Sequence, residues 1–272
     1  IMDCMDKKLL GGEAPPGSIG ASTGSGAPVD PKYAIGPIFK QVDSQWVLIG
    51  TGFFITIEGI FVTARHVLMD VIDTSGKHTR PIAIMQFTSD NTYAIRPILR
   101  FSAHGVADAA VGVTVPMRNN ITNDILKSKA CVLTSRRPAV GERACTFAYP
   151  NIVDEPGPPQ KLHLFPAFYD GRIEEYYPEG RDRISLPAPC YRTSISIHGG
   201  ASGGPVFDGA GHVFGINSTG FMGAPDISYV TQITDILPLI VSNVGVAGRS
   251  EKDFSIHELA ILGHVPFIPK LD

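Results

Sequence analysis

Gly200-Ala201-Ser202-Gly203-Gly204-Pro205 is a serine framed by glycines and closed by a proline, with apolar runs before and after it. Glycines allow backbone conformations that a Cβ forbids, so two amide N–H groups are able to point the same way as the hydroxyl. An acyl-transfer nucleophile needs that arrangement, an exposed Oγ beside an oxyanion hole built from its own backbone. Ordinary turns use the same residues, so the reading rests on what lies upstream.

A nucleophilic serine needs a base, and the base needs an orienting group. Gly52-Phe53-Phe54-Ile55-Thr56 reads as a strand, Glu58-Gly59 as a tight turn and Ile60-Phe61-Val62-Thr63-Ala64 as the return strand. Arg65-His66-Val67-Leu68 follows at once, which places His66, one of eight histidines, at the end of a buried run and open to a cleft. Val106-Ala107-Asp108-Ala109-Ala110-Val111-Gly112-Val113 sets one acid in a small, apolar segment. A carboxylate buried there is costly unless it is paired, and an imidazole supplies the partner.

His66, Asp108 and Ser202 run in the order His, Asp, Ser, the chain order of the chymotrypsin-type triad. With these residues the sequence resembles a trypsin-like (chymotrypsin-fold) serine protease. Thr63-Ala64-Arg65-His66 looks like the family's Thr-Ala-Ala-His segment, Asp108-Ala109-Ala110-Val111 is similar to its Asp-Ile-Ala-Leu, and Ala201-Ser202-Gly203-Gly204-Pro205 matches its x-Ser-Gly-Gly-Pro. The spacings, 42 residues (66 to 108) and 94 residues (108 to 202), are close to the family's. The resemblance covers roughly residues 35 to 240 and implies an all-β fold of two six-stranded antiparallel Greek-key barrels. The active site would lie in the cleft between them, and a short C-terminal helix would close the chain. The order also excludes an α/β-hydrolase esterase, which runs Ser, Asp, His.

The resemblance implies roles. Ser202 is the nucleophile, His66 the base and Asp108 its orienting acid, with the backbone N–H groups of Gly200 and Ser202 as oxyanion hole. Substrate-binding positions are Ser196, six residues before the nucleophile at the pocket floor, and Ser218, Thr219 and Gly220 on a strand that pairs with the substrate. A serine at the floor argues against Lys or Arg at P1, because a buried cation needs an acid there, and leaves small or medium apolar P1 side chains. His198 either lines the pocket, where it favours an acidic P1, or faces solvent.

Trypsin has an Asp directly before its nucleophile that binds a newly cut N-terminus; this chain has Ala201. Lys8-Leu9-Leu10-Gly11 therefore only imitates an activation site. Thr193 through Ser202 is nearer to the HtrA-like and other bacterial branches, here expected without a PDZ domain. The expectation is a serine endopeptidase acting on polypeptide substrates, restrained or activated by a regulatory protein partner. The alternative is a pseudoprotease, a partner-activated scaffold that uses the cleft for recognition.

Composition fits this reading. At 272 residues, 29 of them Gly and 22 Pro, the chain suits many short strands joined by turns. Lys and Arg total 23 against 26 Asp and Glu, a net charge of −3, which argues against a nucleic-acid surface. No run of eighteen apolar residues exists to span a membrane. Cys4, Cys131, Cys145 and Cys190 lack metal-ligand spacing, so neither metal nor cofactor is expected. They read as free thiols or as a Cys131–Cys145 or Cys145–Cys190 bridge. With no signal-peptide pattern at the N-terminus, a cytoplasmic location is expected, or a secreted or periplasmic one if the sequence is trimmed.

The expected organisation is a flexible Gly/Ala/Ser/Pro-rich segment (1–32), a first barrel (33–117) with His66 and Asp108, and a second barrel with closing helix (118–245) carrying Ser202. An extension (246–272), either packed or a docking element, completes it. Thr231 through Ile240 reads as the closing helix, and Ser255-Ile256-His257-Glu258 as a capping box before a short apolar helix.

Overall fold

A computed structural model describes residues 21–22, 28–69, 71–72, 79–88, 92–119, 122–155, 157, 160–221, 224–245 and 251–270. Cys4, the Lys8–Gly11 segment, most of the expected flexible lead and the junction 246–250 lie outside them.

After two short paired strands, β1 (Ala21–Ser22) and β2 (Pro28–Val29), six strands close into a barrel. These are β3 (Ile35–Val42), β4 (Gln45–Phe54), β5 (Ile60–Thr63), β6 (Ile82–Phe87), β7 (Tyr93–Ala103) and β8 (Ala110–Thr114), paired in the order β3-β4-β5-β8-β7-β6. The β4–β5 hairpin is the one read from the sequence, with Phe53 opposite Val62. A helix of five residues, α1 (Arg65–Met69), follows β5.

The second barrel uses β10 (Arg143–Glu155), β11 (Lys161–Tyr177), β12 (Cys190–Thr193), β13 (Pro205–Phe207), β14 (Val213–Phe221) and β15 (Ala224–Gln232). They pair as β10-β11-β12-β15-β14-β13, and β13 returns to β10. Both barrels thus share one Greek-key connectivity, in which the third strand pairs with the sixth. Closure pairs every strand of each ring with two neighbours over part of its length. β9 (Leu133–Thr134) lies parallel against β14 outside the ring.

Apolar side chains fill the space between strands. Phe53, Phe54, Phe61, Phe39 and Ile38 are fully buried in the first barrel's core. Ile173, Tyr191, Ile195, Val206, Phe214 and Val230 fill the second. Cys131, Cys145 and Cys190 are buried and form no disulfide among the described residues; burial pushes the Cys131 thiol up to about 12, which keeps it neutral and unreactive. Arg96, also fully buried, has neutral acceptors in Gln86, Ser128 and the Glu58 carbonyl, and burial brings its guanidinium down to about 10. Among the described residues no helix is long and apolar enough to cross a membrane.

The stretch 231–240 departs from the expected helix. Only Ile233–Ile236 is helical, as a single 3-10 turn, and β16 (Ile240–Val244) is strand. Four β-branched residues among Thr231, Ile233, Thr234 and Ile236 disfavour a longer helix, and Pro238 cannot donate within one. The tail is packed. β16 pairs with β17 (Lys252–Ser255), and α2 (Ile256–Ile261) begins with the expected capping box between Ser255 and Glu258. Phe254, Ile256, Leu259 and Val265 are buried, and β18 (Phe267–Ile268) joins β9.

Asp235, on the 3-10 turn, has Oδ2 buried without a hydrogen-bond partner among the described residues, and burial raises its carboxyl from 3.8 to about 6. A folded-state value above the unfolded one gives stability that is full below about 4 and lost as pH rises through about 6. Asp235→Asn is therefore expected to raise the melting temperature at pH 8 and leave it unchanged at pH 3.5. A thermal unfolding series across that range checks both arms.

Candidate active site

The buried strand β5 ends at Thr63, Ala64 is fully buried, and the chain turns outward into α1 with His66 as its second residue. Its side chain is about half exposed (51%), whereas that of Asp108 is 18% exposed. Asp108 sits in the β7–β8 connection. Its Oδ2 accepts from His66 Nδ1 at 2.9 Å and from Ser218 Oγ at 2.5 Å, and its Oδ1 accepts the His66 backbone N–H at 3.0 Å. Burial pushes the Asp108 carboxyl up, but the bonds and charge from His66, with the Ser218 hydroxyl, outweigh it and hold the group below its ordinary value. An ionised carboxylate only accepts, so it fixes the proton on Nδ1 and leaves Nε2 as the ring's basic atom.

The loop carrying Asp108 is tied from both sides. His104 Nδ1 accepts the N–H groups of Val106 at 3.1 Å and Ala107 at 2.7 Å, and Arg65 Nη1 donates to the Gly105 carbonyl at 3.0 Å. The residue before His66 thus reaches across to the loop that orients His66.

Ser202 follows a turn in which Ala201 N–H donates to the His198 carbonyl at 3.1 Å. Gly200 takes φ +86°, as the third position of a type II turn requires. A Cβ on Gly200 would lie 2.6 Å from the Tyr149 carbonyl, and one on Gly203 (φ +85°) 2.0 Å from Thr63 Oγ1, so neither position accepts a side chain. Among the described residues the N–H groups of Gly200 and Ser202 donate to no acceptor. Ser202 Oγ donates to the Ser218 carbonyl at 3.3 Å. Ser218 therefore stands between Ser202 and Asp108, its carbonyl on one and its hydroxyl on the other.

Thr51 of the first barrel secures this loop of the second. Its N–H donates to the Ser202 carbonyl and its Oγ1 to the Gly200 carbonyl, both at 2.8 Å, while Oγ1 accepts the Tyr149 N–H at 3.2 Å. Ala201 is fully buried in the place where trypsin has its Asp.

Of the other expected positions, Ser218 and Thr219 line a cleft beside His66 and Asp108. β13 pairs with β14 no further than Ile216, so from Ser218 to Gly220 one edge of β14 has no strand beside it among the described residues. Thr219 and Gly220 are exposed there. Ser196 Oγ lies 3.5 Å from His198 Nε2, and the exposed His198 ring packs 5.5 Å from that of Tyr169. Among the described residues no cluster of three His, Cys, Asp or Glu side chains is placed to hold a metal ion.

Two six-stranded Greek-key barrels with these loops between them define the architecture of the chymotrypsin fold. The chain belongs to the trypsin-like peptidase domain family, whose model matches residues 50–216. No curated protein matches it. Among solved structures it is similar to the HtrA-type protease AlgW with tripeptide (18% identity, TM-score 0.53, 75% of this chain and 57% of that one). It is also similar to Deg5 (18%, 0.51, 74% and 84%) and to the Rv3671c protease from M. tuberculosis in its active form (15%, 0.52, 76% and 78%). At these identities the likeness is one of fold, and the chain spans little more than half the length of AlgW.

Thr51, His104 and Arg65 were not singled out by sequence as site residues. A histidine four residues before Asp108 is the one local signal that existed. His104→Leu removes the acceptor for Val106 and Ala107, and both amides are expected to exchange with deuterium at least about tenfold faster, since an unmade hydrogen bond costs roughly 1–3 kcal/mol. His104→Asn, whose carboxamide oxygen reaches the same N–H groups, should restore protection. Native-state exchange read by NMR checks both.

Proposed function

We propose that the protein is a serine endopeptidase that cleaves polypeptides through an acyl-enzyme, with Ser202 as nucleophile, His66 as base and Asp108 as orienting acid. The observation that carries this reading is the Asp108 carboxylate bonded to His66 Nδ1, at 2.9 Å, and to Ser218, whose carbonyl in turn holds Ser202 Oγ. Membership of the trypsin-like peptidase domain family supports it.

The chemistry follows from those positions. Ser202 Oγ attacks the scissile carbonyl while its proton passes to His66 Nε2, and Asp108 stabilises the resulting imidazolium. The carbonyl oxygen takes the negative charge and is met by the N–H groups of Gly200 and Ser202, which have no other acceptor among the described residues. The C–N bond breaks as the imidazolium protonates the leaving amine. Water then attacks the ester by the same proton route and frees Ser202. The substrate adds as a strand to the open edge at Ser218–Gly220.

Ser196 and His198 at the P1 pocket provide no carboxylate, which supports small or medium apolar P1 side chains over Lys or Arg. The turn carrying Gly200 is formed by the chain's own bonds to Thr51 and His198, which supports catalysis without an activating partner.

A fluorophosphonate probe is expected to label Ser202, with labelling lost in Ser202→Ala and reduced at least about 10³-fold in His66→Ala. Asp108→Asn should lower turnover by about 10⁴-fold at unchanged fold. Absence of labelling in the folded native chain would instead assign the cleft to binding alone.

A further inference from the structure

Beside His66 and Asp108 lies a cleft of about 800 Å³. Its lining includes Arg65 and Val106, Arg183 and Ile184 of the β11–β12 connection, and Ser218 and Thr219 of β14. Among the described residues Asp108 is the one carboxylate in that lining, and it is committed to His66 and Ser218. The two guanidinium groups therefore leave the cleft with an unbalanced positive charge.

Arg65 is tied to backbone, and Arg183 sits on an ordered turn. Arg65 spends one N–H on the Gly105 carbonyl and keeps four of its five donors. Arg183 rides on a tight turn in which Asp182 Oδ1 accepts the N–H groups of Ile184 at 3.0 Å and Ser185 at 2.6 Å, and Arg181 N–H donates to the Leu186 carbonyl at 2.8 Å. No carboxylate pairs with Arg65 or Arg183 among the described residues. Val106 and Ile184, 53% and 92% exposed, add apolar surface beside the charge. Such a surface fits a carboxylate on a short aliphatic stem.

A peptide extended along Ser218–Gly220 sends alternate side chains to opposite faces. With P1 directed to the pocket at Ser196, P2 and P4 share the face toward His66 and this cleft, and P3 points away. Resting on the endopeptidase reading above, we infer that the protein selects substrates with an acidic side chain at P2 or P4, its carboxylate taken between Arg65 and Arg183. Guanidinium and carboxylate match as a planar, charge-assisted pair.

The test compares peptides identical except for Glu, Gln or Lys placed at P2, P3 or P4. It reads kcat/KM with the wild-type chain and, independently of turnover, Kd with the full-length Ser202→Ala variant. Glu is expected to be preferred over Gln at P2 or P4 by at least about fivefold in both readouts, with Lys disfavoured and P3 indifferent. The preference should shrink as salt is raised from about 0.05 M to about 0.5 M, where the screening length falls to about 4 Å. Arg183→Glu should invert it in favour of Lys. Equal values for Glu, Gln and Lys at all three positions, or a preference that survives Arg183→Glu, overturns the inference while leaving the peptidase reading intact. If no peptide is cut by the wild type and none binds Ser202→Ala, the peptidase reading falls and takes this inference with it.

Discussion

The Asp108 carboxylate is where the two barrels meet chemically. From the first barrel it accepts the N–H and ring Nδ1 of His66, and from the second the hydroxyl of Ser218. Three donors around one partly buried acid keep it ionised against the cost of its burial. They also fix how the loops of one barrel stand against those of the other. Thr51 makes the reciprocal tie, a first-barrel residue holding both carbonyls that flank Ala201. The barrels supply rigid strands, and these few bonds set the distances between the loops that the strands support.

The same economy explains why so little of the molecule is devoted to the site. His66 leaves a five-residue helix, Asp108 a strand connection and Ser202 a turn, each anchored to a buried element within a few residues. Loops have freedom to place side chains, and a closed ring beneath them limits how far that freedom extends. His104 and Arg65 make up the remainder by tying the Asp108 loop to its own backbone and to the segment preceding His66. The cleft these loops line inherits its charge from Arg65 and from Arg183 on the facing connection.

Features governed by local chemistry were legible in the sequence. Gly200 and Gly203 were readable because their conformations and neighbours exclude a Cβ, and Asp108 because an acid among alanines must have a partner. The β4–β5 hairpin and the Ser255–Glu258 capping box were equally local. Long-range contacts left no such trace. Thr51 reaches Gly200 across 149 positions, and Thr is as ordinary in a strand as Val. The shared connectivity of the two barrels was reached only through the family resemblance, because a strand needs only apolar alternation, which many unrelated sequences satisfy. At 231–240 the reading by resemblance gave way to composition, since β-branched residues and Pro238 permit only one helical turn. The tail after 250 was ambiguous because short apolar runs pack inward or outward with equal ease in sequence; here Phe254, Leu259 and Val265 go inward.

The central claim is that Asp108 fixes the proton of His66 on Nδ1 and leaves Nε2 basic. Nitrogen-15 and proton NMR of the histidine ring at neutral pH tests it most directly, with the signals assigned by their absence in His66→Gln. The expected result is a strongly deshielded ring proton attached to Nδ1, with Nε2 unprotonated, and loss of that proton's deshielding in Asp108→Asn. A His66 ring protonated on Nε2, or one whose spectrum is the same with and without the Asp108 carboxylate, would contradict it.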